Sequence, residues 1–74
     1  MVTVVTSPSC QPCRFTKKRL TDRGIKYIER NVAEDPEALE LAKSLGYKST
    51  PVVITDDGRH WSGLRIDMID SLVM

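Results

Sequence analysis

The sequence predicts an α/β domain: a four-stranded mixed sheet flanked by three helices, in the order β-α-β-α-β-β-α. Three observations carry that expectation. A β-branched run leads through a proline-containing loop into a helical stretch closed by glycine. A second amphipathic stretch has both a helix-start signal and a glycine stop, and two short strand-like runs flank Asp57-Gly58.

Taken in order, Val2-Thr3-Val4-Val5 is cut off by Thr6-Ser7-Pro8-Ser9 and reads as a buried strand feeding a loop that delivers Cys10. Residues 12 to about 23 suit a helix. Pro12 fits its first turn, where a missing N–H leaves no bond unmade, and Gly24 stands where a left-handed C-terminal cap belongs. Residues 25–32 alternate apolar and polar positions, which predicts a second strand beginning around Lys26. Asp35-Pro36 is a helix-start signal, and Ala38, Leu41, Ala42 and Leu45 recur at helical spacing before Gly46 closes the segment. Residues 51–55 read as a third strand, Asp57-Gly58 as a tight hairpin turn, and residues 59–62 as the antiparallel return. Ile66, Ile69 and Val73 then form the apolar stripe of a last helix, with Leu72 beside them and Asp67 suited to its positive end. The first two strands are joined through a helix, so a right-handed crossover makes them a parallel pair and places helices on both faces of the sheet.

Without a linker, a repeat or a low-complexity tract, residues 1–74 are expected to form one domain with a thin core. The 11 basic and 10 acidic side chains leave a net charge of +1, and the one basic cluster, Arg14, Lys17, Lys18 and Arg19, reads as a solvated helix face. Nucleic acid is not an expected partner; steering of an acidic protein is the alternative use of such a cluster. The apolar start stops far short of the roughly 20 residues a membrane span needs, and it lacks the basic flank and cleavage site of an export signal. Two cysteines kept as a close pair, outside any multi-bridge framework, fit a reducing compartment, so a cytoplasmic protein without membrane contact is expected.

That pair carries the chemistry. Cys10-Gln11-Pro12-Cys13 at a strand-to-helix junction puts both sulfurs within disulfide range while leaving only the first readily exposed. Cys10 sits just before the helix, where unpaired N–H groups and the helix dipole favour an anion. A helix N-terminus contributes about 0.3–2 kcal/mol, which lowers a free thiol pKa near 8.5 by roughly 0.2–1.5. Cys10 is therefore the expected nucleophile, forming a mixed disulfide with a target, and Cys13 the resolving residue that attacks Cys10 to release the reduced product. A zinc site shares the C-x-x-C spacing but needs four ligands, and His60 is the remaining borderline donor, so no metal is expected. A purely structural bridge closes too small a loop to add much stability. No cofactor is expected beyond the redox-active disulfide itself.

Thr50-Pro51 precedes the third strand. By frequency an X-Pro bond is trans, with cis in about 5–6% of cases. At this place in the topology a cis bond would turn the backbone polar groups of Thr50 outward beside the disulfide, making an edge on which an extended segment of a partner could pair.

Together, Cys10-Gln11-Pro12-Cys13, Ser49-Thr50-Pro51-Val52-Val53 and Trp61-Ser62-Gly63-Leu64-Arg65 resemble the glutaredoxin branch of the thioredoxin superfamily, and most closely its NrdH-redoxin type. The resemblance extends to Gly24-Ile25, Leu45-Gly46-Tyr47 and His60-Trp61; its most specific part is the last segment, similar to that family's Trp-Ser-Gly-Phe-Arg-Pro. It implies a minimal thioredoxin fold and a monomer that takes electrons from thioredoxin reductase and passes them to ribonucleotide reductase, an electron-transport step in deoxyribonucleotide synthesis. Leu64 stands where the family has Phe, Ile66 where it has Pro, and the Gln11-Pro12 spacer differs from the commoner ones. Pro12 removes a donor next to Cys13, as in the thioredoxin spacer, and points to a reducing protein. Thioredoxin at about −270 mV and glutaredoxins at about −200 to −230 mV bracket the expected potential.

The candidate partner-contact residues are thus Gln11, Pro12, Thr50, Pro51, Trp61, Ser62, Gly63 and Arg65. Trp61 has a second account as a residue packed at the sheet edge, and Arg65 either holds the carbonyls of the Trp61-Ser62-Gly63 loop or is solvated at a helix start. His60 is left out of the site. Two other functions stay open at this point: a glutathione-dependent glutaredoxin acting as a general disulfide reductase, and a module binding zinc or an iron–sulfur cluster between two chains through Cys10.

Overall fold

The structure is a computed structural model and describes residues 1–73; Met74, the last residue of the expected domain, lies outside the described residues. The seven expected elements occur in the expected order: β1 (Val2–Thr6), α1 (Gln11–Asp22), β2 (Tyr27–Asn31), α2 (Pro36–Ser44), β3 (Val52–Ile54), β4 (His60–Ser62) and α3 (Ile66–Ser71). They build one four-stranded mixed sheet in the spatial order β2-β1-β3-β4. β1 pairs in parallel with β2, antiparallel with β3, and β3 antiparallel with β4.

Strand alternation sorts the core into two layers. Val2 and Val4 of β1, Val53 of β3 and Trp61 of β4 face one side, where Leu20 of α1 and Ile69 of α3 cover them. Val5 and Val52 face the other, under Ala38 and Ala42 of α2. Leu20 is fully buried, a contribution of about 1.5–3 kcal/mol from one side chain. Small alanines in α2 let that helix lie close to the sheet.

Both long helices close in the same way. After α1, Gly24 N–H donates to the Thr21 carbonyl and Ile25 N–H to that of Leu20; Gly24, at φ 70°, supplies the left-handed residue this cap needs. After α2, Gly46 and Tyr47 repeat the pattern on Lys43 and Ala42. The apolar residue that follows each glycine packs on a core layer, Ile25 on the first and Tyr47 on the second. At the start of α2, Asp35 accepts the Ala38 N–H at 3.2 Å and pairs with Arg30 at 2.8 Å, and Pro36 occupies the first turn.

Two expectations are corrected. The hairpin is not a two-residue turn: Thr55 N–H donates to the Arg59 carbonyl at 2.8 Å, which leaves Asp56, Asp57 and Gly58 as a three-residue connection with Gly58 at φ 91°. The stripe of α3 is also different. Ile69 is buried, but Ile66 and Val73 are exposed, and Met68 and Leu72 pack on the core in their place. The helix ends at Ser71, so Val73 falls beyond its last turn.

The basic cluster is distributed around α1. Lys17 pairs with Glu29 of β2, Lys18 with Asp22, and Arg19 with Asp70 of α3, where Arg23 joins the same carboxylate.

Candidate active site

The loop from β1 to α1 aims Cys10. Pro8 and Ser9 form its turn, with Ser9 in the left-handed region at φ 58°, and Cys10 then takes the extended conformation of a helix N-cap. Its Sγ accepts the backbone N–H of Cys13 at 3.1 Å. α1 begins at Gln11, one residue earlier than expected, so Pro12 still lies in the first turn and Cys13 one residue further in. No acidic residue occupies that turn, so nothing there opposes a negative charge on sulfur.

Cys10 and Cys13 are joined by a disulfide with their Cα atoms 5.3 Å apart. Cys10 is half-buried and Cys13 is only 2% exposed. Gln11 and Pro12, between them, are exposed.

The opposite wall comes from the strand that lies beside β1. The Thr50-Pro51 bond is cis, and Pro51 is fully buried. Thr50 Oγ1 lies 3.5 Å from the Cys10 sulfur and 2.6 Å from Ser7 Oγ. The strand-return segment holds this wall in place: Ser62 Oγ donates to the Ser49 carbonyl at 3.2 Å and Gly63 N–H to the Pro51 carbonyl at 2.9 Å. These two bonds bracket Thr50-Pro51. Both bonds join segments distant in the chain, so no local signal in the sequence carries them.

Trp61 and Arg65 stand elsewhere. Trp61 is 4% exposed and packs in the first core layer with Val53, Leu20 and Ile69, so its ring has no surface to offer a partner; its alternative account as a packed residue describes it better. Arg65 makes no bond to the loop carbonyls. Its guanidinium donates to both Asp67 oxygens, at 3.1 and 3.0 Å, which raises the Arg65 pKa and holds the Asp67 carboxyl below its ordinary value. It is the solvated helix-start residue of the two alternatives.

A groove of about 480 Å³ runs from Cys10 and Thr50 between the active-site loop and α2, with Leu39, Tyr47, Lys43 and Lys48 among its walls. Ser7, Tyr47 and the two lysines were not singled out from the sequence. Ser7 lies three residues before Cys10, which signalled proximity; the others reach the groove through the packing of α2. Tyr47 is tied to β4 by a 2.7 Å hydrogen bond between its hydroxyl and His60 Nδ1. Among the described residues no three His, Cys, Asp or Glu side chains gather where they could hold a metal ion, and no helix is long and apolar enough to cross a membrane.

Chemically, the arrangement offers one accessible sulfur at a helix mouth, a second sulfur buried behind it, and a groove leading to the first. The sequence profile of the glutaredoxin family matches residues 2–61. The chain is 39% identical to the glutaredoxin-like protein NrdH of Escherichia coli over 96% of this chain and 86% of that protein. It is 38% identical to the Gene 56 protein of Mycobacterium phage L5, over 97% and 71% of the two chains. Among solved structures, NrdH-redoxin from Escherichia coli, a glutaredoxin-like protein with a thioredoxin-like activity profile, matches with a TM-score of 0.89 at 39% identity, covering 96% of this chain and 92% of that one. The thioredoxin-like protein BC3987 matches with a TM-score of 0.87 at 32% identity, covering 97% and 99%.

Proposed function

Because the chain belongs to the glutaredoxin family, and within it to the NrdH-redoxin type, we propose that this thiol–disulfide oxidoreductase carries electrons from thioredoxin reductase to ribonucleotide reductase. The observation that carries the reading is the asymmetry of the disulfide: Cys10 caps α1 at the end of an open groove, and Cys13 is buried behind it.

In the reduced protein, the Cys10 thiolate attacks one sulfur of the target disulfide. A Cys10–target bond forms, the target disulfide breaks, and the first target sulfur leaves as a thiolate that takes up a proton. Cys13 then loses its proton and attacks Cys10 Sγ, expelling the second target sulfur and closing the Cys10–Cys13 bond. Two electrons pass to the target; because Cys10 reacts as a thiolate, one of the two protons on the target thiols comes from Cys13 and the other from solvent, and the reductase restores the electrons. The two cysteines hold the electrons between these events, so no cofactor is needed, and the work is that of a cytoplasmic monomer. Gln11, Pro12 and Thr50 border the reacting sulfurs as the partner-contact surface; Pro51 is buried beneath it and shapes the wall rather than touching a partner, with Ser62 and Gly63 fixing the far side.

A second reading has one observation in its favour. Lys43 and Lys48 line the groove beside Cys10, where they could meet the carboxylates of glutathione, as a glutathione-dependent glutaredoxin requires. A coupled assay decides between them. With NADPH and a protein disulfide, turnover is expected with thioredoxin reductase. Turnover with glutathione and glutathione reductase, and none with thioredoxin reductase, would overturn the proposal.

A further inference from the structure

We infer that Ser7 and Thr50 form a cross-strand hydroxyl pair that fixes a hydrogen-bond donor on the Cys10 sulfur, with Thr50 as the donor and Ser7 as the positioning residue. This rests on the reading of Cys10 as the attacking thiolate.

The pair follows from strand register. β1 and β3 match Thr3 with Ile54, Val4 with Val53 and Val5 with Val52. Continued in the same register past the last pair, Ser7 falls opposite Thr50. Antiparallel neighbours at such positions bring small hydroxyl side chains together, and the two oxygens lie 2.6 Å apart. Thr50 Oγ1 is also 3.5 Å from Cys10 Sγ, within reach of a bond to sulfur.

Proton accounting gives the pair a direction. A threonine hydroxyl has one proton to donate. With Ser7 as donor to Thr50, the Thr50 proton is free for the Cys10 sulfur, and the Thr50 oxygen is held where that bond forms. The reverse direction would leave a lone pair facing sulfur and repel a thiolate. The reduced, ionised site favours the first arrangement, because a donor to a charged acceptor makes the stronger bond. The Cys13 N–H supplies a second donor to the same sulfur.

A donor of this kind stabilises the thiolate much more than the disulfide. It therefore lowers the Cys10 pKa and, by favouring the reduced form, raises the reduction potential. The charged or titratable groups that line the groove with this sulfur are Lys43 on α2 and Tyr47 and Lys48 beyond it. They are the same in every variant below.

The test uses the full chain in a Cys13→Ser background, where Cys10 is the sole thiol, and follows its ionisation by ultraviolet absorbance and by alkylation rate against pH. Thr50→Val removes the hydroxyl at nearly constant shape. It should move the Cys10 midpoint upward and slow alkylation below that midpoint roughly fivefold, a conservative size for one bond to a charged group. Thr50→Ser keeps the donor and should stay within about twofold of the parent on the same scale. Ser7→Ala should fall between the parent and Thr50→Val. With both cysteines present, Thr50→Val should also shift the potential to a more negative value.

An unchanged midpoint in Thr50→Val, or a Thr50→Ser protein as impaired as Thr50→Val, would overturn the inference. Should Thr50→Val fail to fold, Ser7→Ala decides, and a midpoint equal to the parent's would overturn it. Failure of the parent chain to turn over with any reductant would instead remove the function proposed above, and this titration would remain readable.

Discussion

Cys10 caps the helix that carries Cys13, its sulfur accepting the Cys13 backbone N–H at 3.1 Å while Cys13 itself is buried. One contact thus gives the two cysteines different work. The donor that would stabilise a Cys10 thiolate belongs to the residue that must later attack the Cys10 sulfur and release the target, and the backbone keeps the two within bonding distance.

Substituting each cysteine separates the roles. Cys13→Ser should accumulate a stoichiometric mixed disulfide with a protein target through Cys10, visible by non-reducing electrophoresis and mass spectrometry. Cys10→Ser should neither turn over nor trap. Trapping by Cys10→Ser, with none by Cys13→Ser, would reverse the assignment.

Asp70 accepts two hydrogen bonds from Arg19, at 3.1 and 2.8 Å, and one from Arg23 at 3.0 Å, so it ties α3 to the end of α1. Arg19 first, and then Arg23, hold its carboxyl below the ordinary value of 3.8. Lys17 foremost, with Thr6, does the same for Glu29, ordinarily 4.5. A depressed folded-state pKa contributes stability that is fully present above the unfolded value and is lost as pH falls through the folded one. Chemical unfolding midpoints should therefore be level down to about pH 5 and decline below it. Asp70→Asn should lower Tm by a few degrees at neutral pH and flatten part of the acid decline. An unaltered acid profile in Asp70→Asn would contradict this account of the tie.

Leu20 is the largest fully buried side chain of the layer between α1, α3 and the sheet. Leu20→Ala should lose about 2–5 kcal/mol in denaturant unfolding. That is a large share of the stability of a small domain, about 5–10 kcal/mol. Thr21→Ala, one position along and exposed, should stay within about 0.5 kcal/mol of the parent. Equal losses at the two positions would mean that α1 does not pack through Leu20.

The Ser62 hydroxyl holds the Ser49 carbonyl on the far wall of the site. Ser62→Ala should cost about 0.5–1.5 kcal/mol of stability. It should also lower kcat/KM for a protein disulfide roughly twofold to fivefold, because the wall that meets an extended partner loosens. Reaction with a small dithiol, which does not lie along that wall, should be unchanged. Equal loss in both reactions would show that Ser62 acts on the cysteines themselves.

Much of this was legible in the residues. Glycine at 24 and 46, proline at 12 and 36, and Asp35 as a cap are local signals, and each helix begins or ends within a residue or two of where they point. The cysteine pair at a strand-to-helix junction was equally local. What escaped depends on partners distant in the chain. Periodicity placed Ile66 and Val73 on the core side of α3, whereas docking against α1 turns Met68 and Leu72 inward and ends the helix at Ser71. The residues around Arg65 offer it both loop carbonyls and the Asp67 carboxylate, and a carboxylate two residues on outcompetes neutral carbonyls for a guanidinium. Trp61 was drawn to the disulfide by the family pattern, while its place on β4 points the ring into the first core layer. The contact of Ser7 with Thr50 spans 43 positions and appears only once strand register is known.

The most direct test of the central claim is the pH dependence of alkylation of the fully reduced chain, with mass-spectrometric mapping of the label. The account predicts that Cys10 is labelled first, with a midpoint below the value near 8.5 of a free thiol, while Cys13 reacts slowly across the range. Equal labelling of both cysteines, or a Cys10 midpoint at or above that of a free thiol, would contradict it.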